Sequence, residues 1–294
     1  MIAHVAEAEE QSGRVVLWLG ASEEPQEAAV DAALRLAQAF GSEIESLFIE
    51  DRQLFDLADL PFAREVSFSG RRTRAMSQAV LAGDLEAHAA AQQRRVLAKA
   101  RAAEVKAAVR VVRADPLQAL AETCAEMGPW NVVTVGVPVR NGTATGHMGA
   151  GLAQVFNTVH AATGIVVAGP EARRTRGPVI AVAEELERAV PMMRAAERIA
   201  SAVGGEARLW LLDDDRGRQD WLEGQVRLAL GAAAPYGRLE VLDMSMHTPQ
   251  SVACLLRHAG AGFVITRFGG ALARREEDVA PLAEMLDGPL FLVR

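Results

Sequence analysis

Residues 131–169 read NVVTVGVPVRNGTATGHMGAGLAQVFNTVHAATGIVVAG. The stretch begins and ends with apolar, β-branched runs, which are typical of strands buried on both faces of a sheet. Between these runs lie a glycine-rich segment and a helical pattern that extends to His160. Parallel α/β sheets bind their ligands at this kind of junction, at the carboxyl end of a strand. The stretch therefore predicts an α/β fold and a loop suited to a phosphate-sized ligand.

The residues upstream repeat the alternation of strand and helix. Residues 15–19 and 44–49 are apolar strand-like runs, and residues 23–40 between them place apolar side chains on one helical face. Ser77 is a predicted N-cap of a long Ala-rich helix, and Asp115-Pro116 opens a further helix after another short strand. The order is that of a parallel sheet with helical crossovers.

Residues 52–76 interrupt this order. The segment contains several apolar residues, Pro61 and the basic run 71–74, and Pro61 is incompatible with one continuous helix. Three interpretations are open: a lid over the sheet edge, a flap that binds a partner, or a short helix and a loop that pack locally.

The second half repeats the element order of the first. Residues 170–178 form a polar, basic connector between Gly-Pro pairs, after which strands and helices alternate again to the end of the chain. This repetition predicts an internal duplication. The division expected is a disordered leader (1–13), a first domain (14–169) with the insert 52–76, a linker (170–178) and a second, degenerate domain (179–294). The fold expected is two tandem, open, mostly parallel five-stranded sheets with helices on both faces, a Rossmann-like architecture.

Composition narrows the class of protein. The net charge is −7 and aromatic residues make up only 5%, which argues against a nucleic-acid partner because such proteins present basic patches and stacking platforms. The N-terminal residues lack an apolar core, and no apolar run reaches the length of a membrane span, so no membrane interaction is expected. Cys124 and Cys254 have neither CxxC nor metal-ligand spacing. A cytoplasmic location is expected.

The element order resembles that of the universal stress protein family in its tandem two-domain form. The similarity is carried by VVLWLGASEE (15–24), by RADPLQALAETCAEMGPWNVVTVG (113–136) and by GLAQVFNTVHAATGIVVAG (151–169). The second half is matched by element order alone. The resemblance implies that the last strand of each unit is an edge that pairs between protomers. Residues 165–167 and 290–293 fit that role, so an internal pseudo-dimer of the two halves is expected, and a homodimer of the chain beyond it.

The resemblance also implies a nucleotide site, from which this chain departs. ATP-binding members carry an Asp after the first strand and a Gly-x2-Gly-x9-Gly-Ser/Thr loop; here Gly20 and Leu152 stand at the Asp and Ser/Thr positions. Glycines allow backbone N–H groups to approach phosphate oxygens, and hydroxyl and cationic side chains add further contacts. The candidate site residues are Gly20, Gly136, Arg140, Gly142, Thr143, Thr145, Gly146, His147, Gly149 and Gly151. The implied ligand is ATP or another adenine nucleotide, with Mg²⁺ only if the nucleotide binds.

Three functions are open at this stage. The first is a non-enzymatic stress-response or regulatory protein that acts through protein partners and senses an adenine nucleotide in its first domain. The second is a slow Mg²⁺-dependent nucleotide hydrolase that uses the loop 142–151, for which Asp51 or Asp115 would have to hold the metal. The third is a structural interaction module whose partner surface is the insert 52–76. No Walker or Gly-x-Ser-x-Gly motif is present, so an enzyme is the less favoured class.

Overall fold

The computed structural model describes residues 13–19, 27–67, 69–126, 128, 130–136, 152–174, 176–231 and 238–294. The first half contains, in order, β1 (Arg14–Leu19), α1 (Glu27–Phe40), β2 (Glu43–Asp51), α2 (Arg52–Ala58), β3 (Arg64–Val66), β4 (Thr73–Ala75), α3 (Gln78–Ala102), β5 (Ala107–Ala114), α4 (Pro116–Glu126), β6 (Asn131–Gly136), α5 (Leu152–Thr158) and β7 (Ala162–Ala168). The second half contains β8 (Val179–Ala183), α6 (Leu186–Ala202), β9 (Ala207–Asp213), α7 (Arg216–Leu230), β10 (Leu239–Asp243), α8 (Pro249–His258), β11 (Phe263–Arg267), α9 (Glu276–Met285) and β12 (Leu290–Val293). The α/β class predicted from the sequence is confirmed.

The long strands form one sheet in the order β10-β9-β8-β11-β12-β7-β6-β1-β2-β5. Within each half, neighbouring strands are parallel, and the strands taken in chain order lie as third, second, first, fourth and fifth. The halves meet where β12 pairs antiparallel with β7. The sequence predicted two five-stranded sheets; the β7–β12 pair joins those two sets of strands into one continuous sheet.

Helices cover both faces of the sheet. One apolar core lies between the sheet and α1, α3, α6 and α7, and the other lies between the sheet and α4, α5, α8 and α9. Central strands such as β1 (RVVLWL) and β8 (VIAVA) are apolar at nearly every position because both of their faces are buried. In the first of these layers, α1 of the first half packs against α6 of the second.

Close backbone contact holds β7 against β12. Gly164 pairs with Val293 in this ladder, and the strand partner leaves no space for a side chain there. A Cβ atom at Gly164 would lie 2.4 Å from Cε2 of Phe291 and 2.9 Å from the carbonyl oxygen of Leu292. Glycine is therefore required where the two halves join.

A buried guanidinium also bridges the halves. Arg35 on α1 is almost fully buried and donates from Nη1 to the carbonyl oxygen of Gly262, at 3.1 Å, and from Nη2 to that of Arg174, at 3.0 Å. Burial lowers the pKa of Arg35, an effect that Asp31 partly offsets. The segment between β7 and β8 is itself tied to the second half, because Arg174 forms an ion pair with Asp287 at 2.8 Å.

Residues 1–12 of the predicted leader lie outside the described residues. Two expectations about α3 need correction. Ser77 does occupy the N-cap of α3, but its side chain makes no capping hydrogen bond. The helix ends at Ala102, earlier than the predicted end near residue 106, because Glu104 takes a left-handed conformation with φ of 56°.

The insert contains more structure than a short helix and a loop. After α2, strands β3 and β4 form a separate two-stranded antiparallel sheet. Three-residue strands are too short to show an alternating pattern, so no periodicity predicts this hairpin. Its turn is held by a hydrogen bond from the Gly70 amide to the Ser67 carbonyl, at 2.7 Å.

Candidate functional site

The predicted nucleotide site lies at the carboxyl ends of β1 and β6. These two strands are neighbours and run parallel, so Leu19 and Gly136 end at the same edge of the sheet. Gly136 is buried at the last position of β6. The other candidates lie outside the described residues: Gly20, Arg140, Gly142, Thr143, Thr145, Gly146, His147, Gly149 and Gly151. The structure thus places the two strand ends beside each other and leaves the predicted loop as a sequence-based hypothesis.

The corresponding turn of the second half, between β11 and α9, is fully described. Residues 268–273 fold back on themselves: the amide of Gly269 donates to the carbonyl of Ala273 at 2.8 Å, and Phe268 forms an isolated bridge with Ala273. Gly269 has a φ of 84°, which glycine adopts without strain. Two consecutive glycines here build a tight turn directly after a parallel strand.

Glu184 fills this turn. Its Oε1 atom accepts the backbone N–H of Ala271, and a Cβ atom at Gly270 would lie only 2.7 Å from the same oxygen. Backbone N–H groups in a glycine turn attract oxyanions, and here the oxyanion is a carboxylate of the chain itself. The next helix, α9, begins with Glu276, Glu277 and Asp278, whose charges offset its N-terminal dipole. The Glu184 carboxylate therefore occupies the turn, and the acidic start of α9 disfavours a second anion.

Glu184 and Gly20 hold equivalent positions in the two halves. Glu184 directly follows β8 and Gly20 directly follows β1, and these are the first strands of their respective halves. The resemblance implies a carboxylate after the first strand, and in the first half Gly20 stands at that position. The carboxylate that follows the first strand is in the second half, in AVAEE (181–185), where the same comparison would have found it.

Replacing Glu184 with alanine should loosen the β11–α9 turn. The Ala271 amide loses its acceptor, and the loss of one such hydrogen bond costs about 1 kcal/mol. We expect faster hydrogen exchange at Ala271 and its neighbours, measured by mass spectrometry on proteolytic fragments. Glu185→Ala is the matched control, because Glu185 instead forms an ion pair with Arg267 at 3.2 Å. Equal exchange in both variants would show that Glu184 does not anchor the turn.

The carboxylates considered for metal binding serve as helix caps. Asp51 accepts the amide of Gln53 at 2.9 Å, and Asp115 accepts the amides of Leu117 and Gln118 at 3.1 Å each. No group of three or more His, Cys, Asp or Glu side chains in the described ranges could hold a metal ion. Both carboxylates thus contact the backbone at the start of the next helix, in each case through Oδ1.

The aspartates after β9 are also engaged locally. Asp213 forms an ion pair with Arg218 at 3.0 Å, and Asp215 caps α7 by accepting the amides of Gly217 and Arg218. Asp214 is exposed. These contacts are those of a turn that leads into a capped helix.

Cys124 and His160 lie in contrasting environments, one buried in a core and the other exposed. Burial raises the pKa of the Cys124 thiol to about 12, so this side chain stays protonated and unreactive at neutral pH. His160 is exposed after α5, and its backbone carbonyl accepts from Nη1 of Arg294 at 3.4 Å.

The insert presents a second kind of candidate site. Glu65 on β3 is bonded to Arg74 on β4, and Arg74 also reaches Asp84 on α3 at 3.5 Å. This hydrogen bond to Glu65, the largest cause, raises the pKa of Arg74. Because side chains alternate along a strand, Arg64 and Val66 lie on the opposite face of the hairpin from Glu65. One face is therefore anchored to α3 and the other is directed into solvent.

The outward face combines apolar and basic side chains. Phe62 is 74% exposed and Val66 is 63% exposed, with Arg64 exposed between them. We call these three residues the ribbon surface. Four further residues of the insert are exposed, two apolar side chains and two cations: Leu57, Leu60, Arg71 and Arg72. Exposed apolar side chains that recur within one segment outside the cores are typical of an interaction site.

Comparison with known proteins identifies the fold. No family model matches the sequence, and no curated protein matches it. A universal stress protein from Archaeoglobus fulgidus DSM 4304 superimposes with a TM-score of 0.59 at 16% identity, covering 95% of this chain and 96% of that one. A protein from Pseudomonas aeruginosa UCBPP-PA14, assigned as a universal stress protein, superimposes with a TM-score of 0.56 at 12% identity, covering 95% and 92%.

A third similar structure is part of a cotransporter. The cytoplasmic domain of a prokaryotic cation chloride cotransporter superimposes with a TM-score of 0.52 at 9% identity, covering 96% of this chain and 95% of that one. At such identities the likeness establishes the fold alone. The chain thus has the fold of these universal stress proteins, and the resemblance inferred from its sequence is confirmed at that level. Among the described helices, none is long and apolar enough to cross a membrane.

Proposed function

We propose that the protein is a non-enzymatic stress-response regulator that acts by binding other proteins through the ribbon surface. The observation that carries the proposal is the exposure of Phe62 and Val66 on a hairpin that belongs to neither core. The opposite face of the hairpin contacts α3 through the ion pair of Arg74 with Asp84. A partner that covers the exposed apolar side chains removes them from water, and this favours binding. The stress-response part of the proposal rests on the shared fold.

Site-specific cross-linking tests this function. A photoreactive amino acid at position 66 should give discrete adducts with another protein in the cells that produce the chain. The matched control carries the same amino acid at position 246, because Met246 is likewise an exposed apolar residue but lies in the second half. Adding Arg64→Glu to the position 66 variant should reduce its adducts. The absence of hetero-protein adducts from position 66, or equal adducts from both positions, would contradict the proposal.

We also propose that an adenine nucleotide, with Mg²⁺, binds the first half at the loop 136–151. What favours the first half is the contrast between the two equivalent positions: Glu184 fills the turn of the second half, while Gly20 at the same position has no side chain to do so. The neighbouring ends of β1 and β6 would place this loop beside Gly20. The described residues offer no observation that favours the hydrolase over simple binding.

Thermal denaturation tests nucleotide binding. ATP, ADP or AMP at 100 times its dissociation constant should stabilise the protein by about 2.7 kcal/mol, and Mg²⁺ should increase the effect of ATP. Gly146→Val and Gly149→Val should abolish the shift, because side chains there would block approach of phosphate to the backbone. Gly83→Ala is the control, since a Cβ atom at Gly83 meets open space. No shift with millimolar nucleotide would overturn this second proposal and leave the first standing.

A further inference from the structure

Helix α7 has two apolar faces, only one of which is buried. Leu222 and Val226 pack into the core beneath the helix. On the opposite side Trp221 is 56% exposed and Leu228 is 78% exposed, and a Cβ atom at Gly224 would meet open space. Positions spaced by three, four and seven residues share one face of a helix. We call Trp221, Gly224 and Leu228 the helix stripe.

Exposed charges that have no ion-pair partner among the described residues differ in sign between the two segments. They are acidic near the helix stripe, at Asp220 next to Trp221 and at Asp214 in the turn before α7. In the insert they are mainly basic, at Arg64 of the ribbon surface and at Arg71 and Arg72, with Asp59 as the acidic exception. Complementary charges steer two surfaces together and fix their orientation, while the apolar centre supplies most of the affinity.

The two surfaces lie too far apart to meet within one molecule. The ribbon is mounted on α3, which packs on β5, whereas α7 packs on β9 and β10. β5 and β10 are the opposite edges of the ten-stranded sheet, and nine inter-strand spacings of about 4.8 Å separate them by roughly 43 Å. The strands β7 and β12, which the resemblance assigns to pairing between protomers, are already paired with each other. Any association between copies must therefore use another surface.

We propose that the ribbon surface of one copy docks on the helix stripe of a second copy, head to tail. The apolar side chains of both surfaces become buried, with the arginines of one copy facing the aspartates of the next. This inference rests on the proposed function, because both require the ribbon surface to bind a protein. Such a contact joins two different patches, so each added copy presents a free ribbon surface and a free helix stripe again. Self-docking also covers the ribbon surface, so it competes with any other protein partner.

Sedimentation velocity over a range of protein concentrations tests the proposal. The wild-type protein should form species larger than dimers, and high salt should weaken them because the facing charges are solvent-exposed. Phe62→Ser removes the ribbon anchor, and Trp221→Ser removes the stripe anchor, so each variant alone should remain monomeric. An equimolar mixture should form dimers and nothing larger, because only one productive contact remains. Met246→Ser, an exposed apolar residue outside both surfaces, is the control and should assemble as the wild type does.

Other outcomes would overturn self-docking. A monomeric wild-type protein at every concentration, assembly of either single variant, or a mixture that stays monomeric would each contradict it. Circular dichroism and the melting temperature verify that both variants are folded. The cross-linking experiment separates this inference from the proposed function. Adducts between position 66 and a different protein, together with a monomeric wild type, would overturn self-docking alone. Adducts with a second copy only would support self-docking and contradict the proposed regulatory partner.

Discussion

Replacement of Gly164 with valine should lower the free energy of unfolding by about 3 kcal/mol, near the upper end of what overpacking usually costs. The added side chain would have to displace the Phe291 ring and the Leu292 carbonyl, whose atoms lie 2.4 and 2.9 Å from the Cβ position. A ring can rotate away, but the carbonyl belongs to the strand with which β7 pairs. The substitution should therefore weaken the contact between the two halves. Denaturation in guanidinium chloride, followed by far-UV circular dichroism, measures the change.

The matched control for this variant is Gly83→Ala. Gly83 lies inside α3, where a Cβ atom meets open space, so alanine should stabilise the protein by about 0.5–1 kcal/mol through helix propensity. The two glycine substitutions should thus shift the denaturation midpoint in opposite directions. A Gly164→Val protein as stable as the wild type would mean that β7 and β12 do not approach as closely as described.

Replacement of Arg35 with methionine should lower the free energy of unfolding by about 2 kcal/mol. Methionine fills much of the same volume but leaves the carbonyl oxygens of Gly262 and Arg174 without this donor, and an unsatisfied buried acceptor costs about 1–3 kcal/mol. Removal of a buried cation also recovers part of its desolvation energy. The expected loss of unfolding free energy is therefore smaller than the combined cost of two unsatisfied carbonyl groups. Equilibrium denaturation followed by tryptophan fluorescence measures the loss.

Arg35→Lys and Arg188→Met are the comparison variants. Lysine keeps the charge but cannot reach both carbonyl groups with a planar fork, so its stability should lie between those of the wild type and Arg35→Met. Arg188 also donates to a backbone carbonyl, that of Arg294 at 2.8 Å, but it is only half-buried, and its loss should cost less. If Arg35→Met and Arg188→Met lost equal stability, burial of the Arg35 contact would not be the cause.

The fold was largely predictable because the two cores require recognisable runs of apolar residues in the sequence. Strands such as β1 and β8, buried on both faces, read as continuous apolar runs, and residues 165–167 and 290–293 were recognised as edges suited to pair. β12 does pair with β7, although the merger of two expected sheets into one depends on a contact between residues over a hundred positions apart. The β3–β4 hairpin was missed because three-residue strands carry no periodic signal.

The candidate sites were predictable only in part. The glycine loop at 142–151 was recognised from its composition, but composition does not specify what a loop binds. Glu184 stands at a position that comparison of the two halves identifies, but its contact with the Ala271 amide, 87 residues away in the chain, depends on the folded structure. The insert was correctly singled out as an irregular segment, but its outward face depends on which side of the hairpin Arg74 anchors to α3, and this is a three-dimensional property.

The β7–β12 pair has a consequence for synthesis of the chain. β7 is buried along its whole length and mostly apolar, and its partner is encoded roughly 120 residues later. At ribosomal rates of about 5–20 residues per second, the first half would wait on the order of 6–25 s with this edge uncovered. An unpaired apolar edge is a template for pairing with other chains. Slow translation of the second half should therefore favour aggregation, or exchange of β12 between neighbouring nascent chains on one messenger RNA.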